Sequence, residues 1–331
     1  MSKTIKARLK NLDKYIQSKW QDHYWNFLMK YEDKLNWYCL SHNPNITMEI
    51  IENNPDKPWS WIRISYNPNI TMKFINDNPN KLWDWEGISR NPNLTMEMIN
   101  NSPDKPWDWS YISRNSNITT EIIENNPEKP WVWYDISQNP NITMKFINDN
   151  PNKSWYWLRI SQNPNITMGF IEKYPEKPWN WHTISSNPSI TMEIIEKYPE
   201  KPWDWEYISQ NPNITIEIIE NNPEKPWDWY GISQNPNITM EMIDKYPDKP
   251  LDWNYISSNP NITMEMIENS PDKPWDWDYI SYNKFTKEKE LFYQKYYRIY
   301  LATFRLQQYF NRMYDNPNYL FCRTRLEKLF T

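Results

Sequence analysis

Residues 43–282 are one 24-residue unit written ten times with no insertion, and this constrains the fold more than any other feature of the chain. The first copy reads "NPNITMEIIENNPDKPWSWIRISY" from Asn43 to Tyr66, and later copies begin at Asn67, Asn91, Asn115, Asn139, Asn163, Asn187, Asn211, Asn235 and Asn259. A strict period of this length means stacked supersecondary units, each contacting only its neighbours along the stack. One unit has too few apolar side chains to bury its own face, so the copies must complete one another's core. A partial copy precedes the array, since "LNWYCLSH" (Leu35–His42) mirrors "WSWIRISY". A decayed copy follows it at Asn283–Phe292.

Each unit reads as two short helices. Thr47 suits an N-cap, because its hydroxyl can accept one of the orphan backbone N–H groups of the first turn. Glu49 then lies at the positive end of the helix dipole. Met48, Ile50 and Ile51 supply an apolar face, and Pro55 ends it. Pro58 is expected to open the second helix, where its missing N–H costs nothing. Trp59, Trp61 and Ile64 follow, and Pro68 forces the preceding residue out of helical dihedrals. Asn67 and Asn69 flank that proline as turn formers. The second helix has about two turns and could be partly 3₁₀. The expected fold is therefore all-α: an α-solenoid, a superhelix of ten two-helix repeats. At about 8–10 Å per packed helix the array would extend roughly 80–100 Å. The domain reading is an N-terminal basic helical cap with a partial repeat (1–42), the solenoid (43–282) and a C-terminal basic aromatic cap (283–331).

The stretch "NPNITMEIIENNPDKPWSWIRIS" resembles the leucine-rich-variant repeat, with its 24-residue unit, Asn-Pro-Asn turn, Thr-x-Glu helix start and mid-repeat Pro/Asp break. That resemblance covers residues 43–282 and implies a right-handed superhelix of alternating α- and 3₁₀-helices. The chain departs from the family at Trp59 and Trp61, where smaller residues are usual, and lacks the cysteine cluster of some members. Tandem Asn-Pro-Asn/Trp units ending in "NPNYLFCRTRLEKLF" (Asn316–Phe330) are also similar to repeat proteins of giant DNA viruses. Neither resemblance implies a defined activity.

Comparing the ten copies separates scaffold from surface. Ile51, Pro55, Lys57, Trp61, Ile64 and Ser65 have identical counterparts in every unit. Trp61 and Ile64 lie three apart on one helix face and join Ile51 in the expected core. Trp59 points elsewhere, towards an adjacent unit, and Leu251 replaces it in the ninth copy. The Lys57 stem is expected to cover a tryptophan. Variation concentrates at Ser60, Ile62, Arg63 and Tyr66 and their counterparts. Positions 59, 62, 63 and 66 share a helical stripe, so the variable residues make a candidate partner-binding surface: Ile62, Arg63, Tyr66, Tyr111, Arg114, Asp135, Arg159, Tyr207, Tyr255 and Tyr279. The recurring tyrosines fit contact use, since tyrosine is enriched at interfaces; drift at exposed positions would give the same variation.

The remaining composition narrows function. Aromatic residues make up 17% of the chain, which separates it from disordered proline-rich sequences despite 28 prolines. Only Gly87, Gly169 and Gly231 are available, so there is no glycine-rich phosphate loop. The histidines, His23, His42 and His182, are scattered and no metal-ligand spacing occurs. Neither catalysis nor a cofactor is expected. The sequons such as Asn45-Ile46-Thr47 are accounted for by turn and cap. Two distant cysteines, Cys39 and Cys322, and no apolar leader point to an intracellular protein. Lys and Arg outnumber Asp and Glu by 8 to 4 in residues 1–42 and by 10 to 4 in 283–331, leaving 19 against 34 in the array. An acidic array does not track a phosphate backbone. The expected partner is a protein. Two other classes stay open: nucleic-acid association through the basic flanks, and self-assembly of basic ends on acidic arrays.

Overall fold

The computed structural model describes residues 3–315, and among them every regular element is helical. The C-terminal motif Asn316–Phe330 and Cys322 lie outside the described residues. Two compact units are present: one is built from the two terminal helices, and the other is Leu28–Phe285.

In the terminal-helix unit, Lys3–Lys30 and Thr286–Asp315 pair antiparallel. His23 meets Glu288 at 2.9 Å, the Trp20 and Phe292 rings lie 5.5 Å apart, Tyr15 and Tyr296 lie 6.3 Å apart, and Tyr297 donates to Asp13.

Within Leu28–Phe285 each repeat has a Thr-capped helix, such as Met48–Asn53, and a Trp helix, such as Trp61–Ile64. In nine of the ten units the threonine accepts from the backbone N–H three residues on, as expected; Thr167 does not. The second helix differs from expectation at its start. Pro58 and Trp59 are not helical, the Trp59 N–H donating back to the Lys57 carbonyl at 2.7 Å, and the helix begins at Trp61 with Ser60 as N-cap. The position of Ser60, read from sequence only as variable, is thus a capping position. Asp84, Asp108, Asn180, Asp204, Asp228, Asp252 and Asp276 cap there with their side chains, while Val132 and Tyr156 do not. These second helices are α-helical, and the one 3₁₀ turn among the described residues is Glu32–Lys34.

The units are stitched by two buried polar columns. Asn67, fully buried, donates its side-chain amide to the carbonyls of Asn43 and Ile46 in the preceding unit and of Ser41 just before it, while its Oδ1 accepts from the Asn69 N–H. Ser65, also fully buried, donates to the Trp61 carbonyl and accepts the N–H of Asp84 in the next unit. Both patterns recur around the array. A hydrogen bond to a buried carbonyl avoids a desolvation cost of about 1–3 kcal/mol, which is why asparagine and serine occupy these positions although neither is apolar.

The α-solenoid expected from the sequence closes on itself. Asn43 has no preceding repeat in the chain, yet its amide donates to the carbonyls of Ser281 and Asn283, both at 2.9 Å. Ser281 Oγ accepts the Asn36 N–H at 3.1 Å, and Asn45 donates to the Lys284 carbonyl at 2.9 Å. The serine bond recurs at every internal pair and the asparagine bonds at most of them. An eleventh unit is assembled from both ends of the array, its turn from 283–285 and its Trp helix from Trp37–Leu40. Lys30 pairs with Glu268 at 2.8 Å, and the Tyr31 ring lies 4.8 Å from Trp277 across the same join. The partial repeat read as part of an N-terminal cap is therefore a member of the ring. At about 8–10 Å per unit, eleven units make a circumference of roughly 90–110 Å and a diameter of about 30 Å. Phe285, where the chain leaves the ring, is buried with φ 47°, in the left-handed region.

Candidate functional site

The tightest helix packing within the ring is between Trp helices of neighbouring units, including Trp37–Leu40 against Trp277–Tyr282. In a closed circuit the elements that approach most closely lie at the smaller radius. The Trp helices thus form the inner wall and the Thr-capped helices the outer one. The outer wall exposes Glu49, Glu52, Glu97, Glu121, Glu193, Glu217, Glu241 and Glu265, among others, so it carries much of the acidic charge.

The conserved aromatic columns are spent on the ring itself. In nine pairs, eight of them consecutive and the ninth following the break at Leu251, a tryptophan at the Trp61 position meets one at the Trp59 position of the next unit, edge to face, with centroids 5.0–5.3 Å apart and planes at 81–89°. The indole N–H of Trp59 and of each of its tryptophan counterparts donates to the carbonyl five residues earlier, closing the end of the first helix. The invariant lysine lies over the same rings, as with Lys81 at 4.4 Å from the Trp61 centroid and Lys153 at 4.6 Å from Trp133. Ile51 and Ile64 are buried as expected, whereas Trp61 is only half-buried, with the Lys81 ammonium over its ring.

The variable columns fall on the inner wall, at different depths. The position of Ile62 is the exposed one: Ile62, Tyr134 and Tyr230 are 48, 49 and 44% exposed. The position of Arg63 faces the neighbouring unit. Arg63, Tyr111, Arg159, Tyr207, Tyr255 and Tyr279 are half-buried there, and Asp135 is buried. Part of the variation at this position is packing. A Cβ on Gly87 would come within 2.6 Å of the Tyr66 ring, and one on Gly231 within 2.5 Å of the Glu206 carbonyl oxygen. Glycine stands where the preceding unit leaves no room.

Two arcs bring predicted residues (Arg63, Tyr66, Tyr111 and Arg114; Tyr255 and Tyr279) together with Tyr38, Arg90 and Tyr230, which were not among the candidates. In the first, Tyr38, Arg63, Tyr66, Arg90, Tyr111 and Arg114 alternate along the wall, each guanidinium over the neighbouring ring at 4.7, 5.4, 5.5, 4.8 and 3.9 Å in turn. Tyr66 donates to Asp84 at 3.0 Å and Tyr111 to Glu86 at 2.6 Å. Burial, and then the Asp84 bond, push the Tyr66 phenol up; the Glu86 bond, and then burial, do the same to Tyr111. In the second arc, Tyr230, Tyr255 and Tyr279 follow one another with centroids 5.3 and 6.3 Å apart, and the Tyr230 hydroxyl donates to that of Tyr255. Tyr207 lies against His182, 3.8 Å between centroids. Arg159 bonds Gln162 at 3.0 Å and stands apart from both arcs.

At the join of the ring, Arg63 donates to the Tyr282 hydroxyl at 2.7 Å and reaches His42 at 3.3 Å. Burial, and then the Arg63 charge, push His42 down to about 4. Burial raises the Cys39 thiol, which keeps it protonated and unreactive. Sequence comparison could not have found this cluster, because Tyr282 and His42 are 240 residues apart and meet only through closure. Among the described residues no group of three or more His, Cys, Asp and Glu side chains could hold a metal ion, and no helix is long and apolar enough to cross a membrane.

Protein-family models, curated proteins and solved structures give no match to this chain.

Proposed function

We propose that the ring is a non-enzymatic scaffold that binds a protein partner on the variable inner wall. One observation carries this reading. The invariant residues are consumed by bonds and stacking between units, and the variable ones set half-buried and exposed tyrosine and arginine along two arcs of one wall. Those two residue types dominate energetic hot spots of protein interfaces, where rigid aromatic area and forked donors are gained at low entropic cost. A preorganised wall also avoids the ordering cost that weakens flexible binders.

The test is quantitative cross-linking capture from the native cell, using the full chain and two wall variants. One is Tyr207→Ala/Tyr255→Ala/Tyr279→Ala and the other is Arg90→Gln/Arg114→Gln. Loss of the same captured proteins by at least one variant, with unchanged melting, is the expected result. Retention of every partner by both variants refutes the reading.

A further inference from the structure

Among the described residues no carboxylate forms a salt bridge with the ring's arginine pair, Arg90 and Arg114. Arg90 and Arg114 flank one ring, with guanidinium carbons 4.8 and 3.9 Å from the Tyr111 centroid. Every salt bridge formed by the described residues uses lysine or histidine, and neither Arg90 nor Arg114 has a hydrogen-bond partner among them. Each guanidinium therefore presents five in-plane donors while its face is taken by tyrosine. Arg90 is exposed and Arg114 half-buried, so these donors are reachable.

Two like charges held on one ring, with no carboxylate paired to either, favour an anionic ligand. The kind of anion follows from what is already filled. Tyr66 and Tyr111 have their faces covered by guanidinium groups, so a nucleobase has no free ring to stack on, and stacking is what non-specific single-strand binding needs. Asp84 and Glu86 interrupt the positive arc, and the outer wall is acidic, which repels a continuous phosphate chain. An extended peptide needs no ring to stack on, and it can place neutral residues against Asp84 and Glu86 where a phosphate chain is charged at every unit. Carboxylates two residues apart on one side of a strand are spaced about 6.6–6.8 Å, within reach of two guanidiniums whose carbons lie 4.8 and 3.9 Å from one ring centroid. The intervening neutral residues pass Glu86.

Resting on the protein-binding reading above, we propose that the Arg90–Tyr111–Arg114 arc receives an extended acidic peptide segment of the partner, its alternate carboxylates taken by the two guanidiniums. Charge-assisted, forked hydrogen bonds give such a pair its specificity.

Fluorescence anisotropy of the full chain tests this with three fluorescein-labelled probes: a twelve-residue Glu-Ser repeat peptide, a Lys-Ser repeat peptide and an oligo-dT of twelve nucleotides. The Glu-Ser peptide is expected to bind and the other two to bind at least tenfold more weakly. Arg90→Gln/Arg114→Gln should weaken the Glu-Ser peptide at least tenfold with an unchanged melting curve. Arg90→Lys/Arg114→Lys, which keeps the charge, should fall between the two and serves if the glutamine variant unfolds. Absence of Glu-Ser binding, binding indifferent to both double variants, or tighter binding of oligo-dT overturns the proposal. If Arg90→Gln/Arg114→Gln keeps all captured partners while the Tyr207/Tyr255/Tyr279 variant loses them, this inference fails and the scaffold reading survives.

Discussion

Replacing Asn139 by alanine removes four bonds at once. Asn139 is fully buried, and its amide donates to the carbonyls of Ser113, Asn115 and Ile118 at 3.0, 3.0 and 2.9 Å. Its Oδ1 accepts from the Asn141 N–H at 2.9 Å. Two of the three carbonyls keep another donor: Asn115 O accepts from Ile118 N, and Ile118 O from Asn141 Nδ2. The loss is therefore smaller than four fully orphaned groups would give. At a net ~0.5–1.5 kcal/mol per bond, plus the cost of one poorly satisfied buried carbonyl, destabilisation of about 3–5 kcal/mol is expected. Urea unfolding followed by tryptophan fluorescence measures it. Asn148→Ala, at an exposed position of the same repeat, should stay within about 0.5 kcal/mol. Asn139→Asp separates donation from size: it keeps the shape but turns a carboxylate oxygen towards three carbonyls, so it should cost more than alanine at pH 7. A cost below about 1 kcal/mol for Asn139→Ala, or an aspartate variant as stable as the parent, would show that the asparagine column does not hold the units together.

Three further outcomes are expected. Zero-length carbodiimide coupling should join Lys30 to Glu268, which meet at 2.8 Å, and peptide mass spectrometry should find that pair in monomeric protein; an open array would not give it. Leu251→Trp should restore the missing indole bond to the Tyr246 carbonyl and the edge contact with Trp229, raising stability by about 0.5–1.5 kcal/mol in the same urea assay. His42 is held near 4 against an ordinary value near 6.5, so the native state binds fewer protons than the unfolded one. Its contribution to stability is present above about pH 6.5 and is lost as pH falls towards 4. The melting-temperature advantage of the parent over His42→Gln should shrink across that window, and an advantage constant with pH would refute the assignment.

The repeat made the helical class, the period, the threonine caps and the isoleucine core legible from sequence, because each depends on neighbours within one unit. Lys57 over tryptophan crosses from one unit to the one before it, but it was legible because one invariant column meets another a fixed distance away. Ser60 was misjudged because a capping site accepts serine, aspartate or asparagine, so a local constraint looked like drift. Gly87 was opaque, since its cause is the Tyr66 ring of another unit. The role of Asn43 was only half visible. A turn former needs nothing beyond its own loop, and the three carbonyls its counterpart Asn67 serves lie some 21–26 residues back.

Closure lay beyond the sequence altogether. A 24-residue period dictates that each unit stacks on the next, but the number of units per circuit depends on a small rotation per step set by side-chain packing. Only the tertiary structure brings Asn283 beneath Asn43 and lets residues 35–42 and 283–285 complete an eleventh unit. The sequence determined what one unit is and what its neighbour must supply. The accumulated rotation of eleven units decided that the array has no ends, and so turned a stripe of variable residues into the inner wall of a ring.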